Sequence, residues 1–520
     1  MSEHQKNILR SSLGVAFATL LSRILGLGRV MLEAAVLGGG TIASGWSLAF
    51  MVPNLFRRLL GEGALGTALI PLIVRTEREK GMEQVRRDLG QVFLALSALL
   101  AAIVVFVSLG AWLCRPLAQS DHAKLALSLL PLLMPYALFI CLIGVIGAIL
   151  NSRKVFLLPA LGSLLLNIFL IAGLGAWLWR GRDNADLPKL LQELSLLTLA
   201  SGAVQLILFL LLLHRHGGLP RFRQQGRRDP AVLGELWRLV LPGLVAYAAL
   251  QVSFLADRLI ASWIGPLAVP ALTYTDRIVD LPIGIFAVAL GSVLMPALSR
   301  SAAAGDWAAM RGDIVFGLRL TAFICMPAAA FVIGFWRPVA ELLFLRGNFT
   351  EENLRAMTWT MIFYGSGLPL FCSLKVLLPA FYSRRDMRRP LYVSLGCISL
   401  NIALNLLLMK PLAQGGIALA TVIASCGNNL TLLLLLRRDG LLPPLRSWAP
   451  ALLRSLIAAI LAVVAVLAAM KGIWEPASAA GRVVLAATLF GAVYLVIHGV
   501  SGGGEGREML NSLRRRARKD

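Results

Sequence analysis

The chain has 520 residues, 58% of them hydrophobic and only 15% charged, with a formal net charge of +23. A soluble domain carries about 25% charged residues, so this balance, with a mean hydropathy of +0.77, excludes an ordinary soluble enzyme and argues against nucleic acid as the partner of the positive charge. Apolar runs long enough to cross a hydrocarbon core of about 30 Å recur from end to end, and no long window alternates with the period of a barrel strand.

The expected fold is an all-α polytopic membrane protein. About fourteen spans centre on roughly 12–36, 41–60, 89–113, 125–150, 156–178, 190–213, 236–264, 270–298, 314–336, 356–382, 390–409, 413–436, 450–470 and 481–500. The polar stretch Met1–Arg10 is not followed by a small-residue cleavage site, so no removable leader is expected. Lysine and arginine concentrate in alternate connections, among them 75–87, 215–228, 384–389 and 514–519. The positive-inside rule then places both termini in the cytoplasm. The tail around Arg514-Arg515-Arg516 suits an anionic inner leaflet or serves topology alone.

A weak repeat sets the domain plan. Gly66–Arg75 (GTALIPLIVR) resembles Gly291–Arg300 (GSVLMPALSR), and Asn167-Ile168 resembles Asn401-Ile402. Six spans followed by six similar spans on the same side make a parallel repeat, an architecture in which transporters place the substrate between the halves. The expected division is an N-terminal lobe over 1–228, a C-terminal lobe over 229–440, a helix pair over 441–503 and a basic tail over 504–520. The longest polar connections, near 76–88, 214–232 and 337–355, leave little room for an extramembrane catalytic domain. The six cysteines, Cys114, Cys141, Cys325, Cys372, Cys397 and Cys426, form no CxxC or Cys/His cluster, so neither metal nor disulfide is expected from them.

Charges inside apolar spans carry the functional reading. The first span holds Arg23 and Arg29 within Ser22-Arg23-Ile24-Leu25-Gly26-Leu27-Gly28-Arg29. An arginine at the centre of a span costs about 2.5–3.5 kcal/mol on insertion scales, so it ordinarily faces a wet cavity or a partner. Six residues correspond to about 240° on a helix, which separates the two side chains; a bend at Gly26 and Gly28 would bring them together. In the second span Pro53 precedes Arg57-Arg58. Arg58 is spaced i,i+4 from Glu62 as for an ion pair, which leaves Arg57 as the better candidate. Arg277 in the eighth span lies beside Asp276 and three residues before Asp280. Those carboxylates either neutralise it locally or hold its guanidinium in place. If the two halves face each other, Arg23, Arg29, Arg57 and Arg277 line a cavity suited to a multiply charged anion such as a pyrophosphate, since the guanidinium fork matches phosphate.

A second constellation joins Asp257-Arg258 in span 7 with Asn401, Asn405 and Thr421 in spans 11 and 12. These oxygens suit Na⁺ or H⁺, or else hydrogen bonding between helices. Spans 13 and 14 either wall an apolar groove or simply face lipid. No GxSxG, P-loop or acidic metal cluster is present, which disfavours an enzyme acting on prenyl phosphates and leaves an ion gradient or the membrane potential as the energy source.

At Ser22–Arg29, at Pro53-Asn54-Leu55-Phe56-Arg57-Arg58 with Glu62-Gly63-Ala64, at Asp276-Arg277 with Pro282 and Gly284, and at Phe381-Tyr382-Ser383-Arg384-Arg385-Asp386 with Pro390, the chain resembles the MurJ (MviN) lipid II flippases. These belong to the multidrug/oligosaccharidyl-lipid/polysaccharide exporter superfamily. The resemblance implies alternating access by two six-helix lobes plus two C-terminal helices. It implies transfer of undecaprenyl-pyrophosphate-linked disaccharide pentapeptide to the outer leaflet of the bacterial inner membrane for cell-wall synthesis. Export of another lipid-linked oligosaccharide or of drugs is the alternative within the superfamily. It further implies that Arg23, Arg29 and Arg277 serve the diphosphate, that Arg57 is also needed, that Glu62 contributes to a gate, and that the last two helices carry the lipid tail. Asp257, Asn401, Asn405 and Thr421 look like the sodium site of some members. A monomer is expected, working beside the cell-wall synthesis machinery and among membrane lipids. Three departures stand out: Val30 and Ser44 where many members have Asp, and Asn405 where some have Asp.

Overall fold

A chain in hydrocarbon must satisfy its backbone internally, which an apolar helix does within a single segment. The computed structural model describes residues 3–61, 64–153, 155, 157–181, 186–216, 219, 234, 248, 251–472 and 478–502, and among them the regular structure is helical. In chain order the helices are α1 (Glu3–Leu37), α2 (Thr41–Phe56), α3 (Ala64–Cys114), α4 (Asp121–Ser152), α5 (Leu157–Trp179) and α6 (Leu187–Arg215). There follow α7 (251–264), then α8 (Ala268–Ala303), α9 (Trp307–Gly334), α10 (Trp336–Phe344), α11 (Glu351–Tyr382), α12 (Arg388–Arg438), α13 (Ala449–Gly472) and α14 (Ala479–Val500). Helix covers the described part of every expected span. Eight of these helical stretches are long and apolar enough to cross a membrane by length and composition. Exposed Phe106, Trp112, Trp179, Leu407 and Val496 give the outer surface an apolar character suited to lipid.

The chain divides into two compact units, Met1–Ser262 and Trp263–Asp520. The first unit is built around α4, which packs against α2, α3 and α6. Its Leu133, Met134, Val145, Ile146 and Leu150 are fully enclosed. The second is built around α11, which packs against α8, α9 and α12. The fourth span of each half is therefore its central helix, with the second, third and sixth spans around it. The two units thus share one packing pattern around a central helix.

Two of the helices are hairpins. In α3 the chain turns at Gly81 (φ 79°), and Leu69, Ile73 and Thr76 come to face Val85, Leu89 and Val92. The connection expected near 76–88 is thus helical apart from this glycine. The pairs Arg75–Glu79 (3.1 Å) and Glu83–Arg87 (3.5 Å) support it at i,i+4 spacing. In α12 the reversal is at Ala413 (φ 47°), two residues after Pro411. Gly416 then passes so close to the carbonyl of Leu408 that a Cβ would sit 2.2 Å from its oxygen. The expected connection 337–355 contains the short helix α10, and Thr350 and Asn353 form a capping box at the start of α11.

The last two helices belong to the second unit and pack against its α9 and α10. Ala458, Ala459, Ala462, Val466 and Ala486 form a seam with Phe335, Phe490 and Tyr494, and the Tyr494 hydroxyl donates to the carbonyl of Phe323 at 2.8 Å. At the start of α14, Arg482 donates to Glu341 (3.1 Å), which also accepts from Arg337 (2.8 Å). Arg337 in turn donates to Glu351 at 2.6 Å. One carboxylate on α10 thereby ties α14 to α11.

Candidate functional site

In α1 the helix runs without interruption from Glu3 to Leu37, through Gly26 and Gly28. Arg23 and Arg29 accordingly differ in environment. Arg23 is exposed, whereas Arg29 is only 6% exposed. Gly26 lies beside Asn167 of α5, whose amide donates to the carbonyl of Ser22 at 3.5 Å.

Arg29 has a partner that the sequence reading missed. Its Nη1 donates to Glu33 Oε1 at 3.0 Å, one turn along the same helix, and Glu33 is also buried. The guanidinium lies 5.4 Å from the ring centre of Phe50 on α2, and Phe50 stacks on Trp46 at 5.5 Å. Arg29 Nε is buried without a hydrogen-bond partner. The i,i+4 spacing of Arg29 and Glu33 was the available signal. Val30 and Ser44, where many of the flippases it resembles carry Asp, are buried neutral residues here.

Arg57 opens a short π-helical segment, Arg57–Gly61, directly after α2. Such segments interrupt helices often at functional sites. Its Nε donates to Asn54 Oδ1 at 2.7 Å. Glu62 lies outside the described residues, and with it the expected Arg58–Glu62 pair. The Arg58 guanidinium lies 5.3 Å from the ring of Phe254, which Arg258 also approaches at 4.8 Å. This shared aromatic contact carried no spacing signal, because residues 58 and 254 are joined only by the fold.

In the second unit, Arg277 and Asp276 are half-buried on α8 while Asp280 is exposed, and Pro282 follows within the same helix. Of the oxygen constellation, Asn401, Asn405 and Thr421 come together across the α12 hairpin. Asn405 Nδ2 donates to Asn401 Oδ1 (3.4 Å), Asn401 Nδ2 to Thr421 Oγ1 (3.3 Å), and Thr421 Oγ1 to the carbonyl of Ile417 (3.0 Å). Asp257 is a buried residue of the first unit. The Asn401 carbonyl oxygen thus accepts from Asn405, whereas Asn405 Oδ1 is buried without a hydrogen-bond partner. The Asn401–Thr421 bond joins the two arms of the α12 hairpin.

The Phe381–Asp386 motif is a structural turn. Arg385 adopts a left-handed conformation (φ 61°), and Asp386 accepts from the backbone N–H of Arg389 at 3.2 Å. Arg384 and Arg389 then grip Asp439 at the far end of α12, at 2.6 and 2.9 Å. Burial alone would raise the Asp439 carboxyl, but the hydrogen bonds from Arg384 and Arg389 outweigh it and hold the group below the usual carboxylate range.

Comparison with known proteins gives the family and the fold. Residues 33–486 match the family model described as Lipid II flippase MurJ. A Rhizobium tropici protein named "Probable lipid II flippase MurJ" is 30% identical, over 98% of this chain and 97% of its own length. The Burkholderia cenocepacia protein named "Lipid II flippase MurJ" is 28% identical, over 85% of this chain and 86% of its own length. Among solved structures, a lipid II flippase MurJ in an inward closed conformation superposes with a TM-score of 0.78 at 20% identity, covering 94% of this chain and 98% of that one. An inward-facing multidrug resistance MATE family transporter of the MOP superfamily superposes at 0.67 and 14% identity, over 83% of this chain and 98% of the other. At such identities the structural likenesses speak for the fold alone.

Proposed function

The chain belongs to the MurJ family, and on that premise we propose that it is a lipid II flippase, a transporter that carries the pyrophosphate-linked peptidoglycan precursor from the inner to the outer leaflet by alternating access. The observation that carries this reading is a guanidinium, Arg29, that is nine-tenths buried inside an apolar helix. Its carboxylate contact, to Glu33, uses Nη1 alone, which leaves donors of the buried guanidinium for an anionic substrate.

Arg23, Arg29, Arg57 and Arg277 hold the diphosphate, with Asp276 and Asp280 orienting Arg277 and Glu62 serving a gate. The polyprenyl tail stays in lipid, along the apolar outer face of α13 and α14 that exposes Leu453, Val464, Val484 and Val496. No bond is made or broken, so the protein needs only to bind, enclose and release. The membrane potential supplies the drive: moving one net negative charge from the negative inside to the positive outside gains about 2.3 kcal/mol per 100 mV. A gradient of H⁺ or Na⁺ is the alternative drive, with Asn401, Asn405 and Thr421 brought together across the α12 hairpin as the oxygens that would take the ion. The working form is a monomer of the bacterial cytoplasmic membrane, both termini inside, beside the cell-wall synthesis machinery.

The test is replacement of an essential lipid II flippase by this chain. Growth is expected, and growth failure despite membrane-inserted protein would overturn the reading. Arg277→Ala should yield folded protein that no longer supports growth; normal cell-wall synthesis by that variant would remove Arg277 from the site.

A further inference from the structure

We propose that Glu33 is an exchangeable counter-ion for Arg29, holding its guanidinium while substrate is absent and yielding it to the diphosphate when lipid II binds. The inference rests on the flippase reading above and concerns a residue that reading leaves without a role.

Arg29 and Glu33 stand one turn apart on α1, both more than nine-tenths buried, joined by one hydrogen bond of 3.0 Å from Nη1 to Oε1. A buried guanidinium with no counter-charge is strongly unfavourable, so α1 needs an anion beside Arg29 at every stage of a cycle in which the substrate comes and goes. Glu33 is the carboxylate placed to supply it.

The pairing is incomplete in an informative way. Arginine grips a carboxylate or phosphate best through two parallel N–H···O bonds from one edge of the guanidinium. Here Glu33 takes only the Nη1 corner, and Nε is buried with no acceptor. The structural clasps of Arg384 and Arg482 leave Nε unused in the same way, but their guanidiniums lie nearer the surface, whereas that of Arg29 is enclosed, where an unmade hydrogen bond costs more. The edge that begins at Nε is left for another oxyanion. The guanidinium also lies over the ring of Phe50 at 5.4 Å, itself stacked on Trp46, a contact that does not depend on Glu33.

A diphosphate arriving at that edge brings negative charge close to the Glu33 carboxylate. Repulsion then weakens the glutamate's hold, and Arg29 changes partner. When the substrate leaves, the carboxylate recaptures Arg29 from four residues away, at the high effective concentration of a tethered group. Binding is thereby tempered enough for release, which transport requires as much as capture.

The test uses the full-length chain in lipid nanodiscs for lipid II binding and in proteoliposomes for flipping. Glu33→Gln keeps the shape and an acceptor oxygen but removes the competing charge. It should tighten lipid II binding by about tenfold while lowering turnover at saturating lipid II, because release slows. Glu33→Asp, with the charge on a shorter arm, should fall between the two, which covers the case of a poorly folding Glu33→Gln. Arg29→Ala should lose binding. If Glu33 merely braces Arg29, Glu33→Gln will bind lipid II no more tightly than wild type, and the inference falls while the flippase reading stands. If the wild-type chain binds no lipid II, both fall.

Discussion

Gly416→Ala tests the link between the α12 hairpin and the amide network it supports. The added Cβ would stand 2.2 Å from the carbonyl oxygen of Leu408, whereas a carbon resting on a carbonyl oxygen needs about 3.3 Å. The obstacle is backbone in the opposite arm of the hairpin, so no rotamer change relieves it and the arms must part by about 1 Å. The hydrogen bonds between Asn401, Asn405 and Thr421 are already 3.3–3.4 Å long, and such a shift breaks at least the inter-arm one, at about 1 kcal/mol. Overpacking adds about 1–3 kcal/mol, and the better helix propensity of alanine returns about 1 kcal/mol. The net expectation is destabilisation by about 1–3 kcal/mol. Gly427→Ala in the same arm is the control, since its Cβ would meet only Cys397 Sγ at an ordinary 3.9 Å and it should be neutral or stabilising. Thermal unfolding of the purified full chain in detergent measures both. A Gly416→Ala variant that melts with Gly427→Ala would refute the close approach of the two arms.

Two further expectations concern the clasps. Because Asp439 is held below its ordinary range, its contribution is complete above the unfolded carboxylate value of about 3.9 and is lost as pH falls through the lowered folded value; hydrogen exchange in 383–389 should rise only in that acid window, and Asp439→Asn should show the same rise at neutral pH. Unchanged exchange in that variant would remove Asp439 as the anchor of the turn. Glu341→Gln should loosen the start of α14 by about 1 kcal/mol, the scale of partly exposed ion pairs, with faster exchange over 479–486 while the Tyr494–Phe323 bond keeps the helix docked; equal exchange in wild type and variant would show that the network carries no load.

The fold was legible because a membrane chain announces its helices by length and apolarity, and because the GTALIPLIVR and GSVLMPALSR segments advertised the repeat. Contacts closed by tight backbone approach were not legible. Nothing in the sequence marks Gly416 as the residue that lets two arms of α12 meet, or Phe254 as the ring that Arg58 and Arg258 share. The polar stretch 76–88 was expected as a connection on composition. Its charges are in fact spaced i,i+4 and build a helix up to the one glycine where the chain must turn.

The site poses a subtler problem, visible in Arg23 and Arg29. In sequence the two are equivalent: cationic, in the same apolar run, six residues apart. Insertion scales assign each the same cost of about 2.5–3.5 kcal/mol, because they treat a charge as isolated. The fold separates them. Arg23 is exposed and has recourse to whatever surrounds the protein, whereas Arg29 is enclosed with Glu33 and Phe50 as its neighbours. Only the enclosed one must always be accompanied by an anion. It follows that exchange of partners is a burden on Arg29 and not on Arg23, and that removing Glu33 should change how tightly substrate is held without a corresponding effect from any residue near Arg23.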